Sequence, residues 1–163
     1  MPRQTSFRHV VLAGLLALMA CGRNETALAP DDFAATSLTG ELRGKILLVE
    51  SVDSPAWSDD PLTIDGVTID GDTLSVTVQY GGGCRRHALQ PIAETTFMES
   101  WPVQVRARIA HNAGGDQCRA LITRQLFIDL SPLKTLYQAS YQSPHGKIQL
   151  RLAGASDVPV YDF

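Results

Sequence analysis

Apolar residues alternate with polar ones along several short stretches of this 163-residue chain, and this period of two limits the folds open to it. In an extended strand, successive side chains point to opposite faces, so the alternation predicts half-buried β-strands. A helix bundle needs apolar residues three and four positions apart, which these stretches lack. The alternating positions are Leu74, Val76, Val78 and Tyr80; Trp101, Val103, Val105, Ala107 and Ile109; Ile122, Leu126, Ile128 and Leu130; and Ile148, Leu150 and Leu152.

One segment has helical spacing instead. Ser131 is predicted as the N-cap and Pro132 as a first-turn residue, and apolar residues follow at helical intervals. This pattern predicts one short helix near residues 132–142. The apolar run 46–49 is predicted as a buried strand, and residues 51–61 are predicted as a loop. Several short strands with one helix predict a mostly β protein, an antiparallel β-sandwich with a small barrel as the alternative.

The first 20 residues have the features of an export signal. Arg3 and Arg8 precede an apolar run from Val10 to Ala20. A basic start followed by a short apolar stretch is typical of a secretory signal peptide. The run is about half of the roughly 20 residues that span a bilayer, so it is a poor permanent anchor.

The end of this segment, Leu18, Met19, Ala20 and Cys21, resembles the lipobox of bacterial lipoproteins. In that family a lipid is attached to the cysteine thiol, and cleavage leaves this cysteine as the new N-terminus. The resemblance implies lipidation of Cys21 and anchoring in the cell envelope, at the outer membrane if the bacterium is Gram-negative. A plain signal peptide that is cut elsewhere is the alternative.

The chain therefore divides into three predicted parts. Residues 1–20 are predicted as a lipoprotein signal peptide, residues 21–44 as a lipid-anchored flexible tether, and residues 45–163 as a single β domain. The tether prediction depends on the small, polar composition of residues 22–44, which show no sustained periodicity. The formal net charge is −3, which argues against a nucleic-acid-binding protein.

Two cysteines remain once Cys21 is assigned to the lipid. An exported protein lies in an oxidising compartment, where two cysteines usually pair, so we predict a disulfide between Cys84 and Cys118. Closing a loop of about 35 residues stabilises the folded state by roughly 4 kcal/mol in the chain-entropy description.

The same neighbourhood contains His87, His111 and Asp116. With two thiolates, these side chains could bind zinc or copper, which accept imidazole and thiolate ligands. If the disulfide forms, only the two histidines and the aspartate remain, a weaker ligand set. We therefore expect no cofactor, with zinc or copper as the alternative.

The domain also has a partial resemblance to known sequences. The pattern Y-G-G-G-C…H at residues 80–87, the D-x-C at residues 116–118 and the D-L-S-P-L at residues 129–133 are similar to arrangements in uncharacterised secreted bacterial lipoproteins. This resemblance implies no known activity and no functional residue.

The sequence predicts no enzyme, because it contains no G-x-S-x-G nucleophile motif and no other catalytic arrangement. Arg106 and Arg108 share the polar side of one predicted strand. They form either a face for an anionic partner, such as a glycan or lipid headgroup, or a face neutralised by the acidic N-terminal strands.

The predicted function is that of an envelope-anchored lipoprotein acting as a non-enzymatic binding or structural module. Its expected partners are the membrane, through the lipid, and an envelope protein or glycan, with no nucleic acid. The alternative is a metal-binding or metal-dependent protein that uses the two histidines and the aspartate of the Cys84–Cys118 neighbourhood.

Overall fold

Ten strands and one helix occupy residues 33–35 and 41–163, the parts of the chain that the computed structural model describes. They are β1 (Phe33–Ala35), β2 (Glu41–Lys45), β3 (Leu47–Val49), β4 (Thr63–Asp70), β5 (Thr73–Gly82), β6 (Ala88–Glu94), β7 (Val103–Asn112), β8 (Ala120–Asp129), α1 (Ser131–Tyr141), β9 (Lys147–Leu152) and β10 (Val160–Asp162). The predicted mostly β fold with one short helix is confirmed.

The strands form two five-stranded sheets that pack face to face. Sheet A has the order β1-β2-β8-β5-β4, and sheet B has the order β10-β9-β7-β6-β3. Both sheets are open in the described part of the chain, so the sandwich is correct and the small-barrel alternative is wrong. The purely antiparallel pairing is also wrong, because β2–β8, β3–β6 and β7–β9 are parallel pairs. These strands become neighbours after the chain has passed through the other sheet.

The core between the sheets consists of the alternating apolar side chains. In β5 the buried residues occupy every second position, and in β7 the same pattern extends from Val103 to His111. Val76, Val105, Leu126 and Leu150 are completely buried at the centre. The period of two read from the sequence is therefore the inward-facing side of each strand. Trp101 is the exception, because it precedes β7 and is 85% exposed.

Helix α1 closes one end of the sandwich, here called the helix end. Leu133 and Tyr137 are its buried residues, and the Tyr137 ring contacts the rings of Phe97, Tyr141 and Phe163. Pro132 stands in the first turn as predicted. The predicted N-cap role of Ser131 is wrong, because Ser131 is already helical and its backbone N–H donates to the Asp129 carboxylate at 2.8 Å.

The folded domain begins earlier than the boundary predicted at residue 45. Strand β2 pairs with β8 along its whole length, and β1 pairs with β2. All of β1 and four of the five residues of β2 fall in the range 21–44 that was predicted as a tether. Leu42 packs against the core, which explains why this polar stretch adopts a strand. Ile46 is buried between β2 and β3, where the chain crosses from sheet A to sheet B.

The predicted signal peptide, residues 1–20, and the predicted lipidation site Cys21 lie outside the described residues. Within the described ranges, no helix has the length and apolar character that crossing a bilayer requires.

Candidate functional site

At the end of the sandwich opposite α1, the inward-facing positions change from apolar to polar. These positions are Tyr80 in β5, His87 just before β6, His111 in β7 and Arg124 in β8. On the same side of their strands, the buried apolar residues Val78 and Ile109 precede Tyr80 and His111. We call this region the cystine end, because it also holds the two domain cysteines.

Cys84 and Cys118 form a disulfide, in agreement with the predicted pairing. Their Cα atoms are 5.8 Å apart, and the bond joins the segment after β5 to the segment before β8. Ligand atoms of Cys84, Asp116 and Cys118 lie within 4.8 Å of one another. Sulfur binds metals as a thiolate, however, and a disulfide sulfur is not one.

The buried carboxylate of Asp116 fixes the backbone on both sides of this disulfide. Its Oδ2 accepts hydrogen bonds from the N–H groups of Cys84 at 2.9 Å and Arg85 at 2.8 Å, and its Oδ1 accepts one from Cys118 N–H at 2.9 Å. The bond from Cys118, together with those from the other two amides and His87, holds the pKa of Asp116 well below its ordinary value, although burial opposes this shift. Asp116 is thus an ionised structural anchor.

The two histidines form a row with Asp116. His87 Nε2 lies 3.3 Å from Asp116 Oδ2, His87 Nδ1 lies 2.8 Å from His111 Nε2, and His111 Nδ1 lies 3.1 Å from the carbonyl oxygen of Asp60. The ring of Tyr80 contacts both imidazole rings, with centroid distances of 4.7 Å and 4.8 Å. All four ring nitrogens therefore have a protein partner.

Burial lowers the pKa of His111 and favours its neutral ring, although the hydrogen bond to the Asp60 carbonyl opposes this shift. In the neutral ring, Nδ1 donates to that carbonyl and Nε2 accepts a hydrogen bond from His87.

The predicted metal ligands His87, His111 and Asp116 are brought together, but they do not surround a common point. A zinc ion bound by two imidazoles lies about 2 Å from each nitrogen, between them. Here the facing nitrogens are 2.8 Å apart and hydrogen-bonded directly. The geometry favours a structural hydrogen-bond network over the zinc or copper alternative.

One glycine of the Gly81–Gly83 stretch makes room for this row. A Cβ atom on Gly82 would lie 2.5 Å from His87 Nε2 and 3.2 Å from Asp116 Oδ2, whereas a Cβ on Gly81 would meet nothing within 4 Å. Gly83 has a φ of 114°, a conformation that favours glycine. Gly83 turns the chain towards Cys84, while Gly82 allows the close approach of His87.

A cavity of about 330 Å³ opens beside the histidine row. We call it the arginine cleft, after the residues that define it: Arg85, Arg86, Arg124, Tyr80, Leu42 and Ile122. Within residues 41–163, none of its three arginines has a carboxylate within 4.0 Å. The cleft thus combines positive charge with apolar walls.

Sequence reasoning missed this cleft, although a signal was present. Arg124 occupies the same side of β8 as Ile122 and Leu126, so it is a charged residue at a core-facing position. The alternation depends on the apolar residues on either side, and Arg124 interrupts it. A charged residue that interrupts the apolar pattern on the core-facing side indicates a functional site more strongly than a charged residue on the solvent side does.

Arg106 and Arg108, the predicted anionic-partner face, lie on the outer side of sheet B and are both ion-paired. Arg106 contacts Asp53 at 2.5 Å and Glu94 at 3.1 Å, and Arg108 contacts Asp59 at 3.0 Å. The geometry favours the alternative in which acidic residues of the same chain neutralise the two arginines. The acidic partners come from the loop after β3 and from β6, however, and not from the N-terminal strands.

This loop after β3 covers part of the outer face of sheet B. Val52 and Trp57 pack against Ile92 and Ala110 in a small second cluster, separate from the main core. Residues 58–60 also pair with the backbone of His111. The segment predicted as a loop at residues 51–61 is thus a packed cover that helps to position the histidine row.

Several solved structures match about three quarters of this chain. A NigD-like immunity protein from Bacteroides caccae has a TM-score of 0.50 and 15% identity over 75% of this chain and 60% of that chain. A predicted lipoprotein from Bacteroides fragilis has a TM-score of 0.48 and 9% identity over 74% and 69% of the two chains. A Bacteroides vulgatus protein of unknown function has a TM-score of 0.45 and 14% identity over 75% and 57%.

At this low identity, the first comparison shows a common fold and carries no information on activity. The chain spans 60% of the length of that immunity protein and 57% of the Bacteroides vulgatus protein. The sequence matches no protein-family profile and no curated protein.

Proposed function

We propose that this chain is an exported lipoprotein that is anchored to the bacterial envelope through Cys21 and acts as a non-enzymatic binding module. The observation that carries the binding role is the arginine cleft at the cystine end, whose arginines lack carboxylate partners in the described residues. A concave site that gathers positive charge without carboxylate partners is suited to an anionic ligand, because the local potential attracts negative charge.

Two observations support export and anchoring. The lipobox-like Leu18–Cys21 follows a short apolar segment, and the Cys84–Cys118 disulfide suits an oxidising compartment. Several acyl chains on one cysteine would give firm attachment, since a single chain is marginal.

The route of the chain supports display of the cleft away from the membrane. Phe33 pairs with Gly44, which is next to Lys45 and its partner Asp129 at the helix end of sheet A. Cys21 precedes Phe33 by 12 residues, which span at most about 40 Å when fully extended. The anchored segment thus joins the domain at the helix end, opposite the arginine cleft.

The histidine row supports a non-enzymatic role. A general base needs a free ring nitrogen within reach of a substrate, and a metal ligand needs a free lone pair. Both nitrogens of His87 and both of His111 are already bonded within the protein, and Asp116 receives three backbone N–H groups. This cluster stabilises the cystine end and has no group free for chemistry.

Labelled palmitate supplied to a bacterial host that expresses the full chain tests the anchoring. We expect the label on the wild-type protein, and no label on a Cys21→Ser variant, whereas Cys84→Ser should retain it. In a Gram-negative host, separation of inner and outer membranes should place the labelled protein in the outer membrane. Label that persists in Cys21→Ser would overturn the lipidation site.

A native mass of the purified full chain, compared with its denatured and unreduced mass, tests the choice between binding module and metal protein. We expect a denatured mass two hydrogens below that of the reduced chain and no transition-metal adduct in the native state. Free thiols together with a zinc or copper adduct would reverse the choice. The His87→Ala variant should show the same absence of metal as the wild type.

A further inference from the structure

We propose that the arginine cleft binds a small phosphorylated molecule, a phosphate monoester with an apolar body. This inference rests on the binding role proposed above and names the ligand class. The guanidinium groups of the cleft would hold the phosphate, and its apolar walls would contact the body of the ligand.

The first argument is the position of Arg124. It lies on the core-facing side of β8 opposite Val78, between the apolar Ile122 and Leu126. One of its terminal nitrogens donates to the carbonyl of the adjacent Thr123 at 3.1 Å. A partly buried guanidinium is costly unless an anion compensates it, and no carboxylate of residues 41–163 lies within ion-pair distance. An anionic ligand would supply that compensation.

The second argument is the total charge of the cleft. Arg85 and Arg86, both exposed, add two positive charges to that of Arg124. The nearby Asp116 is engaged by backbone N–H groups and by His87, so it does not neutralise these arginines. A dianionic phosphate matches several guanidinium groups better than a singly charged carboxylate does, and the planar guanidinium suits phosphate geometry.

The third argument is the shape and lining of the cleft. Its volume of about 330 Å³ falls at the lower end of the range for small-molecule sites, roughly 300–1,000 Å³. Leu42, Ile122 and the ring of Tyr80 form apolar walls beside the charged groups. Burial raises the pKa of Tyr80, although Arg124 opposes this shift, so its hydroxyl keeps its proton. A ligand with only a phosphate group would leave these walls unused.

Calorimetric titration of the purified full chain in detergent with phenyl phosphate tests the inference. Arg124→Gln should weaken binding about tenfold or more, because it removes a charge-assisted hydrogen bond. Arg119→Gln is the matched control, since Arg119 is exposed near Cys118 but does not line the cleft, and it should change affinity less than about twofold.

Arg86→Gln keeps the test valid if Arg124→Gln disturbs the fold. Arg86 is exposed, so its replacement should leave thermal unfolding unchanged while weakening phenyl phosphate binding about threefold to tenfold. Equal affinity for phenyl phosphate in the wild type, Arg124→Gln and Arg86→Gln would overturn the site.

Two further probes test the phosphate group and the apolar body of the ligand separately. Benzoate should bind about tenfold more weakly than phenyl phosphate, and inorganic phosphate should also bind more weakly because it does not contact the apolar walls. Benzoate of equal affinity would overturn the phosphate assignment, and inorganic phosphate of equal affinity would overturn the apolar body. If phenyl phosphate does not bind at all while palmitate labelling succeeds, this inference fails and the anchoring in the proposed function stands.

Discussion

The two ends of the sandwich are built from the same strands but are stabilised in different ways. At the helix end, the core between the sheets consists of apolar side chains, and Leu133 and Tyr137 of α1 cover it. At the cystine end, hydrogen bonds around Asp116 and the Cys84–Cys118 disulfide replace apolar packing. One end is closed by burial, whereas the other is fixed by polar groups and left open as a cleft.

This difference indicates where binding is to be expected. Polar residues at core-facing positions cost stability unless every group is satisfied. The histidine row is fully satisfied within the protein, whereas Arg124 in the adjacent cleft has no carboxylate partner among the described residues. The satisfied cluster acts as a rigid support, and the arginine beside it is the group left for a ligand.

The largest expected effect comes from removing the covalent link at the cystine end. Replacing both Cys84 and Cys118 with Ala should lower the free energy of unfolding by about 4 kcal/mol, because the disulfide closes a 34-residue separation in the unfolded chain. Denaturant unfolding of the variant and of the reduced wild type measures this loss. A decrease below about 1 kcal/mol would show that the cystine end does not depend on the bond.

The helix end should respond to a loss of apolar volume. Leu133→Ala removes a completely buried side chain from α1 and should lower the free energy of unfolding by about 3 kcal/mol through lost burial and a cavity. Leu121→Ala is the control, because Leu121 is 70% exposed, and it should change stability by less than about 0.5 kcal/mol. Equal effects of the two substitutions would contradict the packing described for this end.

Two adjacent glycines test the histidine row. Gly82→Ala should lower the free energy of unfolding by about 2 kcal/mol, because the added methyl group collides with the His87 ring. Gly81→Ala meets open space and should leave stability within about 0.5 kcal/mol of the wild type. If Gly81→Ala and Gly82→Ala unfold at the same denaturant concentration, the histidine does not approach the backbone as described.

The smallest expected effect is a pH dependence at the cystine end. The pKa of His111 is lowered in the folded state, so below pH ~6.5, the ordinary histidine value, the unfolded chain binds the proton more readily. The contribution of His111 to stability is therefore complete above pH ~6.5 and is lost as the pH falls towards its folded-state pKa.

Denaturant unfolding at pH 7.5 and 5.5 measures this loss in the wild type and in His111→Gln. The loss should be smaller in His111→Gln than in the wild type. In His145→Gln it should equal the wild-type loss, because His145 is exposed in the segment between α1 and β9. The same loss in the wild type and His111→Gln would contradict the assignment to His111.

Local patterns predicted what depends on local structure. The alternation identified β5, β7, β8 and β9, and the helical spacing after Pro132 identified α1. These predictions succeed because burial on one side of a strand or helix imposes a fixed period on the sequence. The Cys84–Cys118 disulfide was predicted on a different basis, because two cysteines of an exported protein usually pair in an oxidising compartment.

Features that depend on distant parts of the chain were not predictable in this way. The parallel pairing of β2 with β8 joins residues more than 80 positions apart, and no local period encodes it. The ion pairs of Arg106 with Asp53 and of Arg108 with Asp59 depend on how the loop after β3 folds over sheet B. The arginine cleft depends on strand register, which brings Arg124 to the end where Tyr80 meets the histidines.

The most direct test of binding at the cystine end is an NMR titration of the ¹⁵N-labelled full chain with phenyl phosphate. We expect changes in chemical shift at Gly83, Arg85 and the Arg124 side chain, and no change at Leu133 or Tyr137 of the helix end. Changes centred on the helix end or on Arg106, or no change at any residue, would contradict the assignment of the cystine end as the binding end.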